Sequence, residues 1–372
     1  MRREVTTRLR AVLAETGLDA LVSLSPDGFA YAAGFVVPSQ PLMRWRIAAH
    51  VLRADGAEAI VAVDMEETTV RTLRPDVDLH VWAEFGGDAM TTLAAALRGL
   101  GLAAGRIGIE LDYLPVADHT RLVAALPLAD LVPAGPLLER TRQVKTATEI
   151  ELLHRLSRVA DGAIRASFDA VRAGDTEMDL AAALTRSVYE QGVGAYKLMI
   201  VATGERSELP NVGPSPRVLV PGDVCRVEIF TVAEGYQAGV CRTAVVGEPS
   251  AQATRVYANL AECRALLLDS MAPGVSADAV YRTFRARFDE LGMPAIGFVG
   301  HSIGVNLHET PYLAAGVEQP LEAGMVLGIE PLVYRSGHGF GMQIKDMVAI
   351  TEDGVQVLSD VTPTAEPYPI RA

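Results

Sequence analysis

The stretch that most constrains the fold is EIFTVAEGYQAGVCRT, residues 228–243, which reads as a β-hairpin whose two strands turn one face towards a shared pocket. Side chains alternate along a strand, so Glu228 shares its face with Arg226 and Phe230. Eleven residues after Glu228 the second strand offers Gly239, a pocket position without a side chain. The helices and strands around this hairpin must therefore close on a site in which one wall is bare.

Downstream of residue 140 the pattern groups hairpins with amphipathic helices. KTATEIELLHRLSRVADGAIRASFDAVRAG opens with a capping box, Thr146 and Glu149, and carries the apolar stripe Ile150, Leu153, Leu156 and Val159, with Gly174 read as its end. Three more helices follow on the same criteria. Between the helices lie the strands KLMIVATG, VCRVEIFTVAEG, GVCRTAVVG, MVLGIEPLVY and MQIKDMVAITEDG. Strands and helices grouped this way predict an α+β domain over 141–372, its helices covering one face of a curved antiparallel sheet. Residues 1–140 alternate instead, with strands at DALVSLS, AEAIVAVDM and RIGIEL and a helix at DAMTTLAAALRGLG, and PAGPLLERTRQ reads as the linker. This predicts an α/β domain before the α+β one.

Composition narrows the function. The formal charge of −13 argues against nucleic acid or an anionic membrane as partner. No apolar run approaches the roughly 18–20 residues that span a bilayer. The first helix, with Val5, Leu9, Val12 and Leu13 on one face, is not a signal peptide, so a cytoplasmic location is expected. Three cysteines without a CxxC pair predict neither disulfide nor zinc site. Of 33 basic residues only Lys145, Lys197 and Lys345 are lysines, which singles them out.

GHSIGVNLHETP, then LEAGMVLGIEPLVY and QIKDMVAITEDG, resemble the pita-bread family of aminopeptidases, prolidase, creatinase and ectoine hydrolase. RQVKTATEIELL resembles the entry to that family's catalytic domain, and PGDVCRVEIF with EGYQAGVCRTAVVG its central hairpin. GLDALVSLSPDGFAYAAGF resembles the creatinase/prolidase amino-terminal domain. The resemblance implies a pita-bread catalytic domain behind a creatinase-type domain. The family's peptidases hold two metal ions with Asp, Asp, His, Glu and Glu, and those positions fall here on Glu228, Gly239, His301, Glu330 and Lys345. A divalent pair needs several carboxylates; with Gly239 and Lys345 in the set, the expectation is no metal and no other cofactor.

On this reading Glu228, His301, His308, Glu330 and Lys345 carry the chemistry. Glu228 extends into the space left at Gly239 as base or nucleophile, and Lys345 keeps it ionised. The plainer readings are an Arg226–Glu228 ion pair as a strut, Glu330 as the salt partner of Lys345, and His301 as a structural hydrogen bonder. Tyr196, Lys197, Asn211, Arg226, Cys241 and His338 are candidate substrate contacts. Asn211 stands where creatinase has a catalytic His, and Cys241 where it has a carboxylate, which argues against a guanidine substrate. Arg44, Trp45 and Arg46, in PLMRWR, lie where creatinase-like dimers complete one another's pockets, so a homodimer with composite sites is expected. The leading expectation is a metal-independent enzyme hydrolysing a non-peptide C–N bond in a small, carboxylate-bearing molecule. The alternatives are a catalytically silent binding module, an Xaa-Pro peptidase with a rearranged metal site, and a lyase or isomerase.

Overall fold

The computed structural model describes residues 1–372. Contacts divide the chain into two compact units, Met1–Arg142 and Gln143–Ala372.

In the first unit, strands β1 (Ala20–Ser23), β2 (Ala49–Arg53), β3 (Glu58–Val63), β4 (Asp78–Trp82), β5 (Arg106–Ile109) and β6 (Asp130–Pro133) form one sheet in the order β4-β3-β2-β1-β5-β6. The period of two decides its two cores. Ala59, Val61 and Val63 face one cluster with Leu93 and Ile107, while Ile60 and Ala62 face the other with Phe29 and Val70. The helices are α1 (Arg2–Thr16), α2 (Pro26–Ala33), α3 (Glu67–Leu73), α4 (Ala89–Gly99), α5 (Val116–Ala125) and α6 (Gly135–Gln143). The last corrects the linker reading of 133–143. Leu138 is fully buried, so the Gly and Pro at its start open a helix rather than a loop.

The second unit begins with α7 (Ala147–Ala170), capped reciprocally by Thr146 and Glu149. It ends at Ala170, four residues before Gly174, which instead takes a left-handed φ of 94° in the following turn. After α8 (Glu177–Glu190), strands β7 (Ala195–Thr203), β8 (Val224–Ala233) and β9 (Tyr236–Val246) form an antiparallel run. Glu234 and Gly235 both have positive φ, the two-residue turn that suits right-handed strand twist. Helices α9 (Ala251–Ser270) and α10 (Ala277–Glu290) precede a second sheet made of β10 (Phe298–Ser302), β11 (Glu309–Ala314), β12 (Val326–Ile329), β15 (Asp346–Thr351) and β16 (Gly354–Val357). The pair β13 (Leu332–Val333) and β14 (Met342–Gln343) lies between, and β17 (Tyr368–Ile370) adds a parallel edge to β9. Phe284, Phe288, Leu260 and Leu267 of the helices pack on Val299, Leu327 and Val348. No helix is long and apolar enough to cross a membrane.

Candidate active site

Backbone pairing carries three residues onto one face. Glu228 stands opposite Cys241 in the hairpin. Cys241 in turn exchanges backbone hydrogen bonds with Lys345, at 3.0 and 3.2 Å. Opposed residues share a face, so the Glu228 carboxylate and the Lys345 ammonium meet across the hairpin. The buried Arg242 fixes the Lys345 carbonyl with a 2.7 Å hydrogen bond and is itself held by Asp161 and Asp346. From the other sheet β10 brings His301, opposite Gly328. A Cβ on Gly328 would lie 3.2 Å from Lys345 Cε and 3.7 Å from the His301 ring, so this glycine makes room for their approach. Glu330 follows β12 directly.

The Lys345 ammonium has three hydrogens and three acceptors: Glu228 Oε1 at 3.1 Å, Glu330 Oε2 at 3.2 Å and His301 Nε2 at 3.2 Å. His301 is therefore the tautomer that accepts at Nε2 and donates from Nδ1 to the Ser302 carbonyl at 2.9 Å. In that form Nε2 has no proton for Glu330 Oε1, 3.5 Å away, and the two make no hydrogen bond. Gln343 donates to Glu330 Oε2 at 3.0 Å. Burial opposes the Lys345 charge, but Glu330 and Glu228 outweigh it and hold the amine above the ordinary lysine range. Burial raises Glu330 above the usual carboxylate range, against the pull of Lys345.

His308 stacks on His301 with ring centroids 3.7 Å apart and planes 12° from parallel. Burial and then the Lys345 charge push His301 well below its ordinary value and bring His308 down to about 4. Both imidazoles are neutral at pH 7, so neither titrates near neutrality. A histidine that resists protonation only when folded costs stability as pH falls from the unfolded value of 6.5 towards the folded one. Histidine-detected NMR should find His301 in the Nδ1–H form from pH 8 to about 5, with His308 inflecting near 4. An inflection of either ring between 6 and 7 would contradict this arrangement.

The space at Gly239 is not a vacancy. Phe230 stands directly opposite, and a Cβ on Gly239 would lie 2.2 Å from Phe230 Cε1. The phenyl ring fills the position and lies 4.7 Å from Lys345 Nζ. Glu228 therefore does not extend there, because the ring excludes it. The fit to the implied metal pair follows from the same contacts. One ligand position is covered by Phe230, a second is the ammonium itself, and no three His, Cys, Asp or Glu side chains are arranged to hold an ion. The residues present do not fit the two-ion set.

The other candidates scatter. Arg226 forms no ion pair with Glu228; its guanidinium turns to Ser207, Pro210 and Gln343. Cys241 is buried, and burial followed by Glu228 raises its thiol well above the ordinary range, so it is no nucleophile. Tyr196, Lys197, Asn211 and His338 are exposed, and His338 lines a separate groove with Asp223 and Ser250. Arg44 and Trp45 lie exposed in the first unit, and Arg46 there is taken up by Glu84 at 2.8 and 2.9 Å. Two participants were missed. Gln343 is two residues before Lys345, so strand alternation alone places it on the same face. Tyr334, whose ring lies 5.2 Å from the Arg226 guanidinium, carries no signal in the sequence. Of the three lysines, Lys145 is buried against Glu309 and Ser302, at 3.0 and 3.1 Å, beneath the loop that carries His308.

Residues 151–352 match the model of metallopeptidase family M24, and residues 6–144 that of the creatinase/prolidase N-terminal domain. A probable dipeptidase PepE of Mycobacterium tuberculosis is 31% identical over 92% of this chain and 90% of its own. An Xaa-Pro dipeptidase of Lactobacillus helveticus is 30% identical over 71% and 73%. Among solved structures, dipeptidase PepE from Mycobacterium ulcerans superposes with a TM-score of 0.83 and 29% identity, covering 100% of this chain and 98% of the other. These matches correct the expectation of metal-independent cleavage of a non-peptide C–N bond: the named relatives are dipeptidases, and the peptidase alternative is the better supported.

Proposed function

Since the chain belongs to metallopeptidase family M24 and carries a creatinase/prolidase-type amino-terminal domain, we propose that it hydrolyses short peptides of the dipeptide or Xaa-Pro class. The observation that carries this reading is kinship with a named dipeptidase along nearly the whole of both chains. Glu330 is the base. Its Oε2 is occupied by Lys345 and Gln343, whereas Oε1 accepts no hydrogen bond within the chain and is free for a water. Burial raises the basicity of the carboxylate, as a base for work near neutrality requires. The water's proton passes to Glu330 while its oxygen adds to the amide carbon. Glu330 then returns that proton to the departing nitrogen, leaving a free acid and a free amine. Lys345, its hydrogens all engaged, offsets the negative charge without touching it, and on this reading the neutral His308 hydrogen-bonds the carbonyl.

One observation favours a second reading, a silent peptide-binding module: Lys345 spends all three of its hydrogens on Glu228, Glu330 and His301 and keeps none for a substrate. Mass-spectrometric assay of an Xaa-Pro and non-prolyl dipeptide panel, alongside calorimetry of the same peptides, separates the two. Cleavage that falls at least about 100-fold in Glu330→Gln supports the hydrolase. Binding without cleavage supports the module, and neither binding nor cleavage overturns both.

A further inference from the structure

Arg226 is fully buried, yet no carboxylate pairs with it. A buried guanidinium without a counter-ion is costly unless its hydrogens are used, and here four of the five are. Nε donates to the Ser207 carbonyl at 3.2 Å. Nη2 donates to the Pro210 carbonyl at 3.1 Å and to that of Leu209. Nη1 donates to Gln343 Oε1 at 3.3 Å, and the other end of that amide donates to Glu330 Oε2 at 3.0 Å. The result is an unbroken path from Lys345 through Glu330, Gln343 and Arg226 to three carbonyls of one loop segment.

That segment is a wall. Leu209 and Pro210, with Ile296, Val333 and Tyr334, line a cavity of about 480 Å³. Tyr334 also covers the face of the guanidinium, so Arg226 holds two sides of the cavity at once. The outer part of the loop is pinned separately. Glu177, fully buried at the start of α8, accepts from Thr203, Arg206 and Ser215. Ser207 is also held through its hydroxyl, which accepts from the Gly341 N–H at 2.9 Å and donates to the Gly204 carbonyl, so Leu209 and Pro210 are the part of the wall that depends most on Arg226.

We propose that Arg226 is a positioning residue that sets the 207–210 wall of this cavity against the Lys345–Glu330 pair, with Gln343 as the relay. A change at the charged site thereby reaches the cavity wall. The inference rests on the proposed function only in taking the cavity as the side on which a peptide lies; the contacts stand without it.

Hydrogen–deuterium exchange on the full chain tests the proposal with no substrate present, so a failed peptidase assay and a failed relay are told apart. Arg226→Met should speed exchange of peptides covering 204–213 by about tenfold, while β8 and β9 stay within about twofold of the parent. Should Arg226→Met not fold, Arg226→Lys serves: a single ammonium cannot reach all three carbonyls, and the same peptides should speed by about threefold. For the relay, Lys345→Met should loosen 204–213 in the parent and add nothing further in a Gln343→Met background. Unchanged loop exchange in the Arg226 variant that folds would overturn the positioning role. An equal effect of Lys345→Met with and without Gln343 would overturn the relay.

Discussion

Lys345→Met is expected to cost the fold about 3–5 kcal/mol at neutral pH, because it strands two buried carboxylates that now share one ammonium. The pH dependence carries the diagnosis. Burial already raises Glu330 in the parent, and loss of the cation raises it further. A carboxylate whose folded pKa exceeds its unfolded value of 4.5 favours the fold when protonated and penalises it as pH rises through the folded value. The deficit of the variant should therefore shrink between pH 7 and about 5, by up to roughly 1.4 kcal/mol per unit for each extra proton bound. Urea denaturation at the two pH values measures it. A deficit below about 1 kcal/mol at pH 7, or one that does not change with pH, would show that Lys345 is not the counter-ion. Lys345→Glu is the sharper companion. It gathers three carboxylates and the freed Nε2 of His301 around one point, a donor set suited to one divalent ion. Manganese should then raise the melting temperature of that variant by about 5 °C or more, and leave the parent's unchanged.

What the sequence could announce and what it could not divides along physical lines. The hairpin, the capping box at Thr146 and the gathering of Glu228, His301, Glu330 and Lys345 depend on local spacing and on motifs in a fixed order, and all are present as read. The state of Gly239 depends on register. Which residue faces a glycine across a hairpin is decided by the turn, and the Glu234–Gly235 turn places Phe230 there. The partners of Arg226 are carbonyls of a loop 16 to 19 residues upstream, and backbone acceptors leave no mark in side-chain chemistry. The neutrality of the two histidines is illegible for the same kind of reason: their titration is set by burial and by the Lys345 charge, neither of which is local in sequence. The helix over 135–143 was hidden by its opening Gly-Pro, which signals a helix start as readily as a linker.

Gly239→Asp, which would supply the one carboxylate the bare strand position lacks, is expected to destabilise the chain by more than about 3 kcal/mol. The new Cβ would meet three atoms of the Phe230 ring at 2.2 to 2.6 Å, distances that force the ring to move. The ring has nowhere to go, since Phe230 is only 1% exposed and lies against the Lys345 ammonium. Phe230→Ala alone should cost about 3–5 kcal/mol, through the cavity it leaves under that ammonium. The two changes should not add. In the double variant the Asp side chain enters the space the ring has left and comes within reach of Lys345, so the double variant should be more stable than the sum of the singles predicts by at least about 2 kcal/mol. Chemical denaturation of the four proteins gives the coupling directly. Additivity within about 0.5 kcal/mol would mean that the ring is not what occupies the position beside Gly239. A large coupling would establish that this family's second carboxylate position has been replaced here by an aromatic filler matched to Lys345.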